Sequence, residues 1–528
     1  MPRTNKIFFL LHRFFLCVGI FIGIDTTLRA QEFTQTRYER EIKSSEYDFT
    51  VIPLKEKGLA LIHDPDKYEG GKKIQEIVLF DSTLHETWHT DLKLESVFKF
   101  IGYEYMPGIL YLLYRVGDTD YNDLHLISIQ TDTHEIENHR IKHQFNLRLS
   151  HFFMVGKNAV FGGYINKESS IIVFDLVTSR VKVVPGFFLN ESELLDLKAN
   201  ENNTFNALLL EHSNSNNTKL MLRTYDETGS LLLEDIIKVD KDIVILSGLT
   251  STLSREELLI AGFYGYGNIQ QAVGLYSVLV DPFSEQKIQY HEFSLLDQFA
   301  DYMGPKRAAK TIARERQRKM EGKRPELKVS AQPIRIQEQP HGFLMLSEVY
   351  LQSTNFTSSP YSNYSSPGFY PYGINPIGRG YYPNYAGPSS YSQSAEIKVL
   401  ETFVTLFDAT GAITFDQSLP LKDIKLSGLE QASDFVTDKD KIFLAYRKES
   451  DLFIKTGDVR KNQFASDTLK LELKNESDVV HIEQEGDANI RYWYDNNFYV
   501  FGRQSIKDKN KDGNTNRYVF FITKLEAK

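Results

Sequence analysis

The sequence has almost no cysteine and very little tryptophan. A single cysteine, Cys17, and two tryptophans occur among 528 residues, and neither a Gly-x-Ser-x-Gly string nor a phosphate-binding glycine loop is present. Because Cys17 lies in the leader described next, the rest of the chain has no thiol. This excludes disulfides, zinc–thiolate sites and a cysteine nucleophile. The missing glycine motifs leave no sequence signature of a serine hydrolase or of a nucleotide-binding loop.

Residues 1–30 have the pattern of a cleaved signal peptide. A basic start is followed by an apolar run of eleven residues from Phe14 to Ile24, and Ala30 is a small residue immediately before Gln31. The run is short of the roughly 20 residues that a membrane-spanning helix needs, which favours a cleaved signal over an anchor. We therefore expect residues 31–528 to form the mature, exported chain.

The mature chain is acidic. Removing residues 1–30 takes four basic residues and one acidic residue from totals of 61 and 70, leaving 57 against 69 and a net charge of −12. Proteins that bind nucleic acid are normally basic, so we expect no nucleic-acid partner. An exported chain of this size without disulfides fits a bacterial envelope. We expect it in the periplasm, associated peripherally with the outer membrane, or outside the cell.

A short apolar run recurs through the chain at intervals near 50 residues. Each run opens near a turn-forming Gly, Asn or Asp and is typical of a buried strand. The runs begin near residues 58, 108, 158, 205, 257, 342, 441 and 497. A second apolar run often follows and ends at an aspartate. Asp226-Glu-Thr-Gly and Asp408-Ala-Thr-Gly then have the composition of hairpin turns, since Gly readily adopts a positive φ.

With a further strand before and after each pair, the repeating unit has four strands. Four-stranded units of this length are typical of propeller blades, and on these repeats the chain resembles the β-propeller superfamily over residues 34–528. The resemblance implies an all-β fold, a single β-propeller of about eight four-stranded blades. No WD motif is present and the kelch-like double glycine occurs once, at Gly162-Gly163, so no specific family is indicated. A tandem array of β-sandwich domains is the alternative, although its units would be about 100 residues long.

Two non-β insertions interrupt the propeller domain of residues 31–528. The first, residues 296–333, carries nine basic residues between Lys306 and Arg324, and it predicts a helix that begins after Gly304-Pro305. The second, residues 353–394, is rich in Tyr, Pro, Gly and Ser and predicts a long loop. The helix is either simply solvated or a docking element for an acidic partner or lipid headgroups. The loop is either a contact surface or a flexible insertion.

Three patterns in the sequence resemble parts of known metal sites. His85-Glu-Thr-Trp-His89 matches H-E-x-x-H, but we expect it on a strand, where residues four apart lie about 13 Å from each other and cannot share one zinc ion. The spacing of His139 and His143 meets the same objection. Asp508, Asn510 and Asp512 copy the first half of a calcium loop, without the glutamate that an EF-hand has at its twelfth position. That loop is either calcium-stabilised or an ordinary turn.

These observations favour a non-catalytic, exported binding or scaffold protein of the bacterial envelope. Its partner would be a protein or a glycan, and we expect no catalytic residues. We also expect no cofactor, with calcium at the half-loop of Asp508, Asn510 and Asp512 as the one exception left open. Two alternatives remain open: a propeller hydrolase or lyase that acts on glycans, and a calcium-stabilised adhesion module. The sequence does not indicate an oligomeric state.

Two structural predictions follow from the strand order. First, residues 34–44 should pair with residues 518–525 and close the ring, because the last unit lacks an outer strand. Second, both insertions should emerge on one face beside the sixth unit and form an aromatic and cationic contact surface. Its predicted members are Arg314, Arg316, Arg318, Tyr370, Tyr372, Tyr381 and Tyr382.

Overall fold

The computed structural model describes most of the chain after residue 32. It covers residues 33–528 except 47, 118, 120–122, 143–145, 167, 187–191, 213–217, 254–256, 268–270, 282–285, 353–396, 427–428, 462, 484–488 and 509–515. The segment predicted to be a signal peptide, the Tyr-rich loop and most of the calcium-like loop therefore lie outside the described residues. None of the helices within the described ranges is long and apolar enough to cross a membrane.

The strands form eight antiparallel sheets, each ordered as in the sequence except the last. The first four sheets consist of β2 (Phe49–Pro53), β3 (Leu59–Glu69), β4 (Lys72–Phe80) and β5 (Glu86–Glu95); β6 (Phe98–Met106), β7 (Ile109–Val116), β8 (Leu124–Gln130) and β9 (Ile136–Ile141); β10 (Leu147–Val155), β11 (Asn158–Ile165), β12 (Glu168–Asp175) and β13 (Arg180–Val183); and β14 (Ser192–Ala199), β15 (Thr204–His212), β16 (Thr218–Asp226) and β17 (Leu231–Lys238).

The other four sheets include the insertions and the chain ends. They consist of β18 (Ile243–Ile245) with β19 (Leu249–Thr250), β20 (Leu258–Tyr266), β21 (Gly274–Val280) and β22 (Gln289–Glu292); β23 (Ser330–Gln339), β24 (Gly342–Gln352), β25 (Ile397–Phe407) and β26 (Ile413–Leu426); β27 (Ser433–Asp438), β28 (Lys441–Lys448), β29 (Asp451–Asp458) and β30 (Gln463–Lys470); and β31 (Asp478–Glu483) with β32 (Ile490–Tyr494), β33 (Asn497–Asp508), β34 (Arg517–Glu526) and β1 (Thr34–Ile42). Helix α1 (Pro305–Met320) lies between the fifth and sixth sheets.

The eight sheets are the blades of a β-propeller, which confirms the predicted fold class and blade number. First strands of neighbouring blades contact one another around the axis. The described residues form eight hydrophobic clusters, one at each interface between neighbouring blades. Inner strands are thus covered on both faces, and continuous apolar runs replace the alternation of a half-exposed sheet. This burial explains why the second strand of each blade could be predicted from the sequence.

All eight predicted starts fall within one residue of the second strand of a blade. In the first and sixth blades the turn before that strand requires glycine. Gly58 and Gly342 have φ of 133° and 141°, and a Cβ at these positions would overlap the carbonyl oxygens of Phe80 and Phe407. Only glycine tolerates both the dihedral angle and the close approach of the neighbouring strand.

The ring closes by strand exchange between the chain ends, as predicted. Strand β1 pairs antiparallel with β34 from Thr34 opposite Glu526 to Ile42 opposite Tyr518. It supplies the outer strand of the eighth blade and covers an edge that would otherwise be open. Arg37 of β1 fastens the strand further, because its Nη2 donates a hydrogen bond to Oε1 of Gln504 on β33 at 2.7 Å.

Strand structure resumes inside the range predicted for the first insertion. β23 begins at Ser330 rather than after Pro333. Pro333 has no N–H to donate, but it lies on an edge strand next to an irregularity in the register between Pro333 and Arg335, which is where a sheet tolerates proline. The outer strand β22 has only four residues, Gln289–Glu292, because a 3-10 turn, Phe293–Leu295, then leads the chain into the insertion.

Candidate partner-binding face

Consecutive strands of a blade are antiparallel, so the connections alternate between two faces of the propeller. Links from a fourth strand to the next blade and links from second to third strands share one face, here called the insertion face. The link that contains α1 leaves from β22, and residues 353–396 leave from β24. Both insertions are therefore attached to the insertion face beside the sixth blade. The path of residues 353–396 lies outside the described residues.

The first insertion is packed against the groove between the fifth and sixth blades. Phe293 stacks on Phe299 with ring centroids 4.4 Å apart, and Phe299 meets Phe403 of β25 edge-on at 5.3 Å. Ala308 of α1 is buried in the same hydrophobic cluster. Burial of a large aromatic side chain contributes about 1.5–3 kcal/mol, so this packing fixes the segment to the two blades.

Buried carboxylates fasten the insertion by its backbone. Asp416 accepts hydrogen bonds from the N–H groups of Asp297 and Gln298 at 2.9 and 2.7 Å, and Glu401 accepts one from the N–H of Asp301 at 3.2 Å. The Asp301 carboxylate in turn lies 3.4 Å from the Lys455 ammonium of the seventh blade. The insertion therefore bridges two blades by polar contacts as well as by packing.

Glu401 is fully buried within this arrangement. Burial raises the pKa of Glu401 to about 8, and the nearby Asp301 charge raises it further, against the hydrogen bonds from Ser418 and from backbone N–H groups. Burial likewise raises the pKa of Asp416 above its usual range. Neither carboxylate was singled out in the sequence, because nothing local to β25 or β26 marks a glutamate or aspartate that a distant insertion will cover.

The three predicted contact arginines all lie on α1 and all have anionic neighbours within the insertion. Arg316 donates to the Ser294 carbonyl at 2.8 Å and pairs with Asp297 at 3.0 Å. Arg318 pairs with Glu326 at 2.8 Å, whereas Arg314 lies 3.8 Å from Glu326 with a side chain that is 61% exposed. Arg316 and Arg318 thus stabilise the insertion itself, and Arg314 is the most available of the three for an external partner.

The first turns of α1 carry exposed cations that the sequence reasoning did not single out. Lys306, Arg307 and Lys310 are exposed, and none of them forms an ion pair with another residue of the described ranges. Lys306, Lys310 and Arg314 are spaced four residues apart and follow one row along the helix. The opposite row, at Ala308 and Glu315, is buried. The four-residue spacing of these basic residues was the signal available in the sequence.

This row is electrostatically unfavourable for the helix that carries it. The first turn has no acidic residue and no side-chain cap. Cations near a helix N-terminus oppose the helix dipole, and like charges four apart repel, each by a few tenths of a kcal/mol. The packing of the insertion overrides this local cost and presents the cations in fixed positions. An anionic surface would relieve both repulsions.

The remaining predicted contact and metal residues are only partly described. Tyr370, Tyr372, Tyr381 and Tyr382 lie outside the described residues, as do Asn510 and Asp512. Asp508 is the last residue of β33 and is partly buried. The tyrosine surface and the calcium-stabilised loop therefore stay predictions.

The two histidines of the H-E-x-x-H string contact different carboxylates. The string begins in a turn and continues into β5, which starts at Glu86. His85 Nδ1 lies 2.8 Å from Thr83 Oγ1 and 3.7 Å from Asp81, whereas His89 Nε2 lies 3.0 Å from Glu76. The strand assignment made from the sequence holds, and no helix places the two imidazoles on one ion.

A cavity of about 460 Å³ opens on the face opposite the insertions. It lies where the first strands of the sixth, seventh and eighth blades turn into their second strands. Three carboxylates and an aromatic ring contribute to its lining: Glu338, Asp438, Asp495 and Tyr492. Because these groups come from three separate blades, spacing in the sequence could not reveal them.

Comparison with known proteins assigns the chain to no family. No protein-family model and no curated protein matches the sequence. The chain is a β-propeller. Solved structures similar to it include the polysaccharide lyase Uly1 (9% identity, 93% of this chain and 100% of that chain, TM-score 0.38) and the WD40 domain of SCAP from fission yeast (9%, 93% and 98%, TM-score 0.41). The β-propeller domain of the Trilobed protease from Pyrococcus furiosus is a third (8%, 79% and 96%, TM-score 0.33).

Proposed function

We propose that the chain is a non-catalytic, exported binding protein of the bacterial envelope that recognises an acidic protein or glycan on the insertion face. The observation that carries this proposal is the exposed row of Lys306, Lys310 and Arg314 on α1, two members of which have no ion pair with another described residue. A rigidly anchored cationic row with an unfavourable electrostatic environment is suited to an anionic partner.

The long Tyr-rich segment attached to the same face supports the proposal. Loops carried by a rigid scaffold are the usual place for binding residues, and tyrosine offers large contact area at low entropic cost. Residues 353–394 contain the densest group of tyrosines in the chain. The predicted tyrosines and α1 would then contact one partner together.

The proposal is tested with a triple variant of the row and a charge-matched control. The test variant is K306A/K310A/R314A. The control is K57A/K157A/K461A, which removes the same charge from exposed lysines on links of the opposite face. Both variants should keep the wild-type melting temperature, because all six side chains are exposed.

The mature proteins are immobilised and exposed to a native envelope extract, and also titrated with poly-L-glutamate and with dextran sulfate. Exposed ionic contacts are worth about 0.2–1 kcal/mol each, so the test variant should bind roughly 10-fold more weakly, with a shallower salt dependence. The control should bind like the wild type. The two polyanions separate carboxylate from sulfate preference. Equal binding by the test variant and the wild type would exclude α1 as the partner site.

A second candidate function is supported by the cavity of the opposite face. Glycan hydrolysis uses two carboxyl groups about 5–10 Å apart, and this opening gathers Glu338, Asp438 and Asp495 from three blades. In this case the mature chain should cleave a polysaccharide, and D438N or D495N should abolish cleavage while K306A/K310A/R314A should leave it unchanged. Absence of new reducing ends or unsaturated products across a panel of neutral and acidic polysaccharides would exclude this candidate.

A further inference from the structure

Three potential metal ligands meet on the outer part of the first blade. Glu76 of β4 lies directly opposite Asp91 of β5 in the register, and His89 is two residues before Asp91 on the same face of the strand. His89 Nε2 is 3.0 Å from Glu76 Oε1 and 3.7 Å from Asp91 Oδ1. One ligand atom from each of the three residues falls within 4.8 Å of the other two.

These distances fit a single metal ion. Two ligands at about 2.1 Å from one ion lie about 3.0 to 3.5 Å apart for bond angles between 90° and 110°. The two shortest separations in the cluster, 3.0 and 3.7 Å, lie close to that range. His89 and Asp91 are about half exposed, at 51% and 56%, so water has access to the remaining coordination positions.

Glu76 is oriented by two further groups that leave one of its oxygens free for the cluster. Arg40 Nη1 and His63 Nδ1 lie 2.6 and 3.0 Å from Glu76 Oε2, and Oε1 is turned toward His89. Arg40 and His63 therefore hold the Glu76 carboxylate in position, as outer groups hold the ligands in other metal sites.

We propose that Glu76, His89 and Asp91 form a binding site for one first-row transition-metal ion, with Zn²⁺ as the representative. One imidazole and two carboxylates are nitrogen and oxygen ligands of the kind that zinc and its neighbours accept. The site is distinct from the helical zinc-protease pattern, because it uses His89 without His85 and recruits ligands from two strands.

The position of the site connects it to ring closure. Arg40 belongs to β1, the strand that the N-terminal segment contributes to the eighth blade, and it contacts Glu76 of the first blade. The ligands of the ion come from both β4 and β5, which are paired only in the folded blade. A ligand that binds only the folded chain raises its melting temperature, so the ion should stabilise the folded protein.

His85 provides a matched control within the same five residues. It is 82% exposed and has a carboxylate neighbour in Asp81 at 3.7 Å, but it has no place in the cluster. The variants H89Q and D91N each remove one ligand from an exposed position, whereas H85Q removes a nearby histidine that is even more accessible. Glu76 is left intact, because its loss would also leave Arg40 without a carboxylate.

The experiment titrates ZnCl₂ into the tag-free mature chain by calorimetry and repeats the melting curve with and without the metal. The wild type and H85Q should bind one ion per chain and melt higher in its presence. H89Q and D91N should lose at least 10-fold in affinity and most of the shift in melting temperature. The proposal is overturned if the wild type binds no ion, if H89Q binds as tightly as the wild type, or if H85Q loses binding as fully as H89Q does.

Discussion

Replacing Glu401 by glutamine should stabilise the protein increasingly as the pH rises. Glu401 is fully buried, and burial, aided by the Asp301 charge, raises its pKa from the ordinary 4.5 to about 8. Between these values the unfolded chain has lost the proton while the folded chain retains it. Folding stability from this group is therefore complete below about pH 4.5, falls as the pH rises to about 8, and is constant above it.

The magnitude follows from the two pKa values. A difference of 3.5 between 4.5 and about 8 corresponds to about 5 kcal/mol at 1.36 kcal/mol per unit. Ionisation of Glu401 in the unfolded chain therefore lowers the free energy of unfolding of the wild type by less than about 1 kcal/mol at pH 5 and by about 4 to 5 kcal/mol at pH 9. Glutamine has nearly the same shape, can accept the Asp301 N–H bond and does not titrate. The difference in free energy of unfolding between E401Q and the wild type should therefore increase by about 4 kcal/mol in favour of E401Q from pH 5 to pH 9.

Thermal unfolding at several pH values measures this gain. The entropy of unfolding is about 1 kcal/mol/K for a chain of roughly 500 residues, so the melting temperature of E401Q should exceed that of the wild type by roughly 4 °C more at pH 9 than at pH 5. E201Q is the control, since Glu201 is exposed in a turn and its replacement should change stability by less than about 0.5 kcal/mol. A difference between E401Q and the wild type that stays the same from pH 5 to pH 9 refutes the buried, protonated state.

Three further predictions concern the chain ends and the long loop. Deleting residues 31–45 removes β1 and its nine register pairs with β34, which exposes the edge of β34. The melting temperature should therefore fall and the protein should associate. An unchanged melting curve and a monomeric elution profile would contradict ring closure by strand exchange. Replacing residues 353–394 by a short Gly-Ser linker should leave folding intact and abolish partner capture, because Gln352 and Ile397 are already paired across the sheet; retained capture would remove the tyrosines from the site. Mass spectrometry of the protein exported by a bacterial host should show a mature chain that begins at Gln31, and an uncleaved chain would exclude the signal peptide.

The repeat was predictable because burial in a propeller acts on short, local runs. Residues 58 and 108 were predicted as strand starts, and β3 and β7 begin at Leu59 and Ile109. Each second strand is enclosed by two neighbouring blades, and this burial explains its apolar run. The glycine, asparagine or aspartate near the start of the run marks the turn that leads into the strand. Helix α1 was predictable for a similar reason, since Gly304 and Pro305 mark its start and basic residues dominate its exposed rows.

The polar contacts were not predictable from local pattern. Whether an arginine on α1 is exposed depends on the path of the segments around the helix: Asp297 and Glu326 approach Arg316 and Arg318, but Lys306 and Lys310 have no such neighbours among the described residues. The burial of Glu401 was not predictable either, because the segment that covers it contains Asp301, which lies 100 residues away in the sequence. A partner at this separation in sequence leaves no periodic signal.

The two candidate functions can be separated because they occupy opposite ends of the same strands. Strand β24 runs from Gly342, near the cavity of the opposite face, to Gln352, from which the Tyr-rich loop departs. At about 3.3 Å per residue these ends are roughly 33 Å apart. Substitutions farther apart than about 10 Å, with no shared partners, act additively. If a substitution in α1 alters cleavage at the cavity, the blades between the two sites must change as well. If substitutions in α1 affect only partner binding and substitutions at the cavity affect only cleavage, each function belongs to its own face.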